Sequence, residues 1–150
     1  MRSISTRLLL GFIAGILSTL IFQGGFGSIL YAAHVTPHLP WSLDPVPPFG
    51  VPRTVSSCFW AGLWGLVYVL LEPRLTARFG WWLGGILFGI GPIIVLWFVV
   101  LPLKGLGVGG GFHPASVPIV IASHLLFGLG VAIFFRIELA LAGRRTSPNG

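Results

Sequence analysis

The sequence predicts an all-α membrane protein, a bundle of four transmembrane helices. Only 8% of its 150 residues are charged, against about 25% in a soluble domain, and its mean hydropathy is +0.95. Four apolar runs each approach the roughly 20 residues that a helix needs to cross the hydrocarbon core. Their continuous apolarity lacks the alternation of an outer-membrane strand, and backbone groups in lipid are satisfied within a segment only in a helix.

The first run is Leu8 to Ala33. Arg2 and Arg7 precede it, as in a secretory signal, but the run is far longer than the usual h-region of about 7–15 residues. Its best small-residue site, Tyr31-Ala32-Ala33, puts a bulky Tyr where a small side chain is needed, so it reads as a retained anchor. The second run is Pro52 to Leu71 and the third Trp81 to Leu103; the fourth covers about 118–137, with Arg136 and Glu138 at its edge. The connections 34–51 and 104–117 join the runs in one membrane domain, and the tail 143–150 is expected to be disordered.

Basic residues set the expected orientation. Arg2, Arg7, Arg74, Arg78, Arg136, Arg144 and Arg145 fall on one side, and only Arg53 and Lys104 on the other. The positive-inside rule then puts both termini in the cytoplasm of a bacterial inner membrane and the two long connections in the periplasm. A net charge of +6 does not imply nucleic acid here, because the charges cap apolar runs and form no stripe. The single cysteine, Cys58, excludes an intramolecular disulfide and a four-cysteine metal site.

The segment "DPVPPFGVPRTV" is unusually rich in proline. Pro45, Pro47 and Pro48 favour extended backbone, and Pro52 and Pro118 suit the first position of a helix, where a missing N–H costs nothing. A stiff loop loses little entropy on docking. It either folds back over its own bundle or offers a rigid surface to a partner, with Trp41, Asp44, Pro47, Pro48, Arg53, Lys104 and His113 as the docking residues.

Two stretches align without a gap: Val51 to Glu72 over Val117 to Glu138. The alignment pairs Pro52 with Pro118, Ser57 with Ser123, Gly62 with Gly128 and Glu72 with Glu138. The preceding helices match more weakly, "GFIAGI" from Gly11 against "GILFGI" from Gly85. The pattern suggests two parallel helical hairpins related by an axis along the membrane normal, against chance likeness between apolar sequences. Gly11-x-x-x-Gly15, Gly80-x-x-x-Gly84 and Gly85-x-x-x-Gly89 suit close helix packing, and Gly24-Gly25 and Pro92 suggest bends.

Polar groups at membrane depth are the candidate site. Gln23, Ser57, Cys58, Ser123 and His124 fall in one layer, about 4 Å outside the midplane on a rise of about 1.5 Å per residue. The layer is either hydrogen-bonded glue between helices or a binding or permeation site; as glue, His124 would be held by Gln23 or Ser57. A rim metal site from His34, His38 and His113 is a weak alternative, because Pro37 interrupts the helical spacing. Haem is disfavoured by the lack of facing axial ligands, and no cofactor is expected.

The chain carries three acidic residues in all. Glu72 with Arg74 and Glu138 with Arg136 read as interfacial ion pairs, and Asp44 lies in the outer connection. No carboxylate dyad, nucleophile–base pair or phosphate-binding loop is present; Gly105 to Gly111 has no strand before it and no Lys-Ser/Thr after it, and reads as a mobile loop.

The combination "PVPPFGVP", "FWAGLWG", "LPLKG" and "GGGFHP" resembles a group of small bacterial four-helix membrane proteins with no assigned activity, over nearly the whole chain. More distantly it is similar to the YagU-like inner-membrane proteins, which share the four-span layout and a His near the start of a late helix. The resemblance implies topology and no activity. The expected role is a non-enzymatic accessory or scaffold subunit, embedded in the bilayer and docking on a membrane-protein partner or a second copy through its outer face. The alternatives are a small-solute or ion transporter working as an oligomer through the Gln23, Cys58 and His124 layer, and a haem- or metal-binding redox protein.

Overall fold

The computed structural model describes residues 3–47 and 49–144. It is an all-α four-helix bundle, with every helix long and apolar enough to cross a membrane: α1 (Ile4–Ala32), α2 (Arg53–Phe79), α3 (Trp81–Leu103) and α4 (Val117–Arg144). The chain is a multi-pass membrane protein. Each helix antiparallels its neighbour in sequence, and α1 and α3 each pack against both α2 and α4, which closes the ring. Two long connections share one end of the bundle, the loop end; the N-terminus, the tight turn at Gly80 and the end of α4 share the other, the terminal end.

Two helices run further than their apolar cores. α2 passes through Pro73 to Phe79, and α4 continues to Arg144, so the expected tail begins inside the helix and its remainder lies outside the described residues. Hydropathy marks where lipid ends, whereas a helix stops only where its backbone is diverted. For α2 that point is Gly80, which alone joins α2 to α3 with φ +78°, in the left-handed region where a side chain is strained. Gly80 is therefore a hinge in the chain and no part of a packing face.

The expected bends take a more specific form. In α1 the five residues Thr19–Gln23, just before Gly24, form a wide π-helical turn. In α3, Pro92 cannot donate to the Phe88 carbonyl; the helix breaks at Gly89 and widens again over Leu96–Val100.

Small residues draw the helices together in pairs. On α1, a Cβ at Gly11 would meet Val69 and the Gly65 carbonyl, and one at Gly15 would meet the Ala61 carbonyl. On α3, a Cβ at Gly85 would meet Ala132, and one at Gly89 the His124 carbonyl. Two of the three expected small-residue faces thus operate, one inside each hairpin. Between the hairpins an aromatic cluster fills the core: Tyr68 of α2 lies edge-on to Phe88 of α3 at 5.1 Å and to Phe135 of α4 at 5.8 Å.

The terminal end is tied by charge, with partners that differ from the expected ones. Glu72 pairs with Arg7 of α1 at 3.0 Å rather than with Arg74, and also accepts from Thr76 Oγ1 at 3.1 Å. Arg7 lies over the Phe135 ring at 5.3 Å, so one guanidinium links α1, α2 and α4. Arg136 sits over the Trp81 ring at 5.2 Å instead of pairing with Glu138, whose Oε2 is buried without a hydrogen-bond partner. Neighbours in sequence were the wrong guide, because residues two apart on a helix point in different directions.

At the loop end, the proline segment forms a minimal hairpin, β1 (Pro45–Val46) against β2 (Val51–Pro52). Pro52, the expected first helical residue, is instead the extended cap of α2, and the helix begins one residue later at Arg53. Pro118 is the second residue of α4. Thr54 Oγ1 accepts from the Ser42 N–H and donates to the Ser42 carbonyl, both at 2.9 Å, and the Arg53 N–H donates to the Asp44 carbonyl at 2.9 Å. The Gly-rich connection, expected as a mobile loop, holds a short 3₁₀ turn, Val108–Gly111, closed by Phe112 stacking edge-on to Trp97 at 5.3 Å.

Candidate functional site, a polar cavity at the loop end

The wide turn of α1 carries the first polar pair. Thr19 Oγ1 donates to Gln23 Oε1, and Gln23 Nε2 donates to Ser123 Oγ of α4 at 3.3 Å. A π turn enlarges the circumference of a helix and is frequent at functional positions. Thr19 and Gln23, at its two ends, both line one cavity wall.

That cavity has a volume of about 300 Å³. Thr19 and Gln23 of α1, Thr54 and Ser57 of α2 and Ser123 of α4 line it, with Leu20, Pro40 and Trp41 as its apolar and aromatic part. Trp41 and Pro40 are seated on two glycines of α1. Any Cβ at Gly24 would meet the Trp41 indole, with Nε1 at 2.5 Å, and one at Gly27 would meet Pro40 at 2.8 Å. The Ser42–Thr54 bonds hold the same segment on α2. Of the expected docking residues, Trp41 thus packs in part on its own bundle.

The five predicted polar residues divide. Gln23, Ser57 and Ser123 come together on the cavity wall. Cys58 and His124 do not line it: each follows a cavity-lining serine by one residue, about 100° further round its helix. His124 Nδ1 bonds the Val120 carbonyl of its own helix at 2.8 Å, so the expected partner, Gln23 or Ser57, is corrected to a backbone group four residues back. Cys58 is a half-buried free thiol. The layer also lies closer to the loop end than expected. Ser57 is the fifth residue of 27 in α2, because the helix runs on past the span boundary that set its expected midpoint. Thr19, Thr54 and Trp41 were missed as cavity residues; Thr19 was the findable one, four residues before Gln23.

The predicted docking residues Trp41, Asp44, Pro47, Arg53, Lys104 and His113 are all exposed, and Pro48 lies outside the described residues. Asp44 accepts from the Ser42 hydroxyl at 2.5 Å. The segment's outer edge ends in large apolar side chains, with Leu43 at 79% and Phe49 at 88% exposure. Leu103, at 83%, and Leu106 lie exposed at the same end. Among the described residues no group of three or more His, Cys, Asp or Glu could hold a metal ion, so the structure does not assemble His34, His38 and His113. His34 instead terminates α1 with φ +57°, while the Val35 N–H reaches back to the Leu30 carbonyl at 2.9 Å.

Fold and site together define a four-span α-helical membrane protein with a cavity lined by neutral polar side chains at one end. Comparison with protein-family models, curated proteins and solved structures finds no match.

Proposed function

We propose that this chain is a non-enzymatic accessory subunit of the bacterial inner membrane that docks on a partner membrane protein through its loop end. One observation carries the reading: the loop end presents a pre-ordered apolar edge, with Phe49 at 88% and Leu43 at 79% exposure, on a segment fixed from beneath by Thr54 and Trp41. Large apolar side chains held out beyond the helix ends are costly in water and mark interaction surfaces. A pre-ordered loop also gives up little entropy on binding.

The orientation follows from charge. Arg7, Arg74, Arg78, Arg136 and Arg144 belong to the terminal end, and Arg53 and Lys104 to the loop end, so positive-inside puts the docking edge in the periplasm. The reading of two parallel repeats draws support from α1. Gly15 faces the Ala61 carbonyl and Ser18 bonds the Phe127 carbonyl, and Ala61 and Phe127 are equivalent in the gap-free alignment. Three residues of α1 rise about 4.5 Å, so equivalent positions of α2 and α4 stand within one turn of each other.

Native gels of detergent-extracted membranes test the docking. Wild-type protein should migrate well above monomer, and Leu43→Ser with Phe49→Ser should release the monomer. A wild-type monomer, or a large species untouched by both substitutions, would contradict the reading.

A further inference from the structure

We infer that the cavity at the loop end is a binding site for a small, uncharged, oxygen-rich molecule of the polyol class. The inference is independent of docking, since it rests on the cavity's inner wall rather than on the loop's outer edge.

Size comes first. A volume of about 300 Å³ is at the low end of the ~300–1,000 Å³ range of ligand pockets. At about 30 Å³ per water, it would hold about ten waters, or a molecule of a few carbons with some water around it.

Charge comes next. Every polar side chain on the wall is neutral: two threonines, two serines, a glutamine and the Trp41 indole. An ion brought into that space would lose hydration with no opposite charge to replace it. An apolar molecule would strip water from the same groups and leave them unpaired. An uncharged molecule that both accepts and donates fits both constraints.

Hydrogen-bonding capacity narrows the class. Thr54 Oγ1 is engaged by Ser42, and Thr19 Oγ1 is spent on Gln23. Gln23 Nε2 uses one N–H on Ser123 and keeps the other. The Ser57 hydroxyl and the Trp41 indole N–H make no hydrogen bond among the described residues, and Ser123 accepts from Gln23 while its own proton is unassigned. The open capacity therefore holds both donors and, on the hydroxyls and Gln23 Oε1, acceptor lone pairs, which calls for a ligand that does both. The serine hydroxyls can also accept, and so match a ligand with hydroxyl protons of its own. Trp41 and Pro40, seated on Gly24 and Gly27, complete the wall.

Saturation-transfer NMR on the full chain in nanodiscs tests this, with glycerol and erythritol as probes and glycerate and serinol as charged analogues of similar size. Glycerol and erythritol should show saturable, mutually competitive transfer, and the two charged analogues should not. Ser57→Leu fills the cavity without breaking a hydrogen bond, so it should fold normally by circular dichroism and weaken polyol binding by at least about tenfold, the factor that about 1.4 kcal/mol gives. Trp41→Ala should weaken it too. No saturable transfer to the wild-type protein, equal transfer to the charged analogues, or undiminished binding in well-folded Ser57→Leu would each overturn the inference.

Discussion

The Ser18 hydroxyl of α1 donates a 2.7 Å hydrogen bond to the Phe127 carbonyl oxygen of α4, from a residue with no solvent exposure. A Cβ at Gly130 would fall on that same hydroxyl, so α4 keeps a glycine where the bond is made. Interhelical bonds of this kind contribute about 0.6–2 kcal/mol in membrane proteins. Ser18→Ala should lower stability by that amount in a denaturant titration and leave the helix content unchanged.

Two glycines of nearly equal sequence appeal should respond in opposite directions. Gly65 lies against the Gly11 carbonyl of α1, and a Cβ there has no room. Gly65→Ala must push the helices apart, at a cost of about 1–3 kcal/mol or more. Gly25 has nothing within 4 Å of its Cβ direction. Gly25→Ala should stabilise α1 by about 0.5–1 kcal/mol through helix propensity. Thermal denaturation of both variants in one detergent makes the comparison.

The Arg7–Glu72 pair joins α1 to α2 at the terminal end, with side chains 28% and 16% exposed. Hydrogen bonds to charged groups contribute about 1.5–3 kcal/mol. Arg7→Leu should cost about that much, because Glu72 then keeps only Thr76. Glu72→Gln in the Arg7→Leu background should restore part of the loss, since a neutral amide keeps the Thr76 contact without a stranded charge. A double-mutant cycle reads the coupling directly.

Topology gives a further expectation. A reporter enzyme active only in the periplasm should be silent when fused to Gly150 and active when inserted at Gly50, an exposed residue of the β1–β2 turn. The reverse pattern would invert the assigned orientation.

Which features could be read from the sequence depended on the kind of force behind them. The four helices follow from continuous apolarity over a length fixed by the bilayer, and α3 matches its expected bounds, Trp81 to Leu103. The end of α2 was hidden because Glu72-Pro73-Arg74 looks like a boundary, whereas Glu72 is held by Arg7 and the helix runs on to Phe79. The cavity was half visible. Gln23, Ser57 and Ser123 share a level along the bundle, which residue counting can give. Counting does not say which way each helix is rotated, and rotation is what turns Cys58 and His124 away and brings Thr19 in. The Trp41 wall was hidden for another reason: it depends on a long-range fit of an indole onto Gly24, and nothing local in either segment encodes the pairing.

The central claim is that the loop end docks on a protein. A photo-crosslinking amino acid placed at Phe49, with a second variant carrying it at the exposed α2 position Leu70 as a control, tests it in native membranes. The account predicts one discrete protein adduct from Phe49, identified by mass spectrometry as a membrane protein other than this chain, and no such adduct from Leu70. Adducts with lipid alone from Phe49, a dimer of this chain alone, or the same adducts from both positions would contradict it.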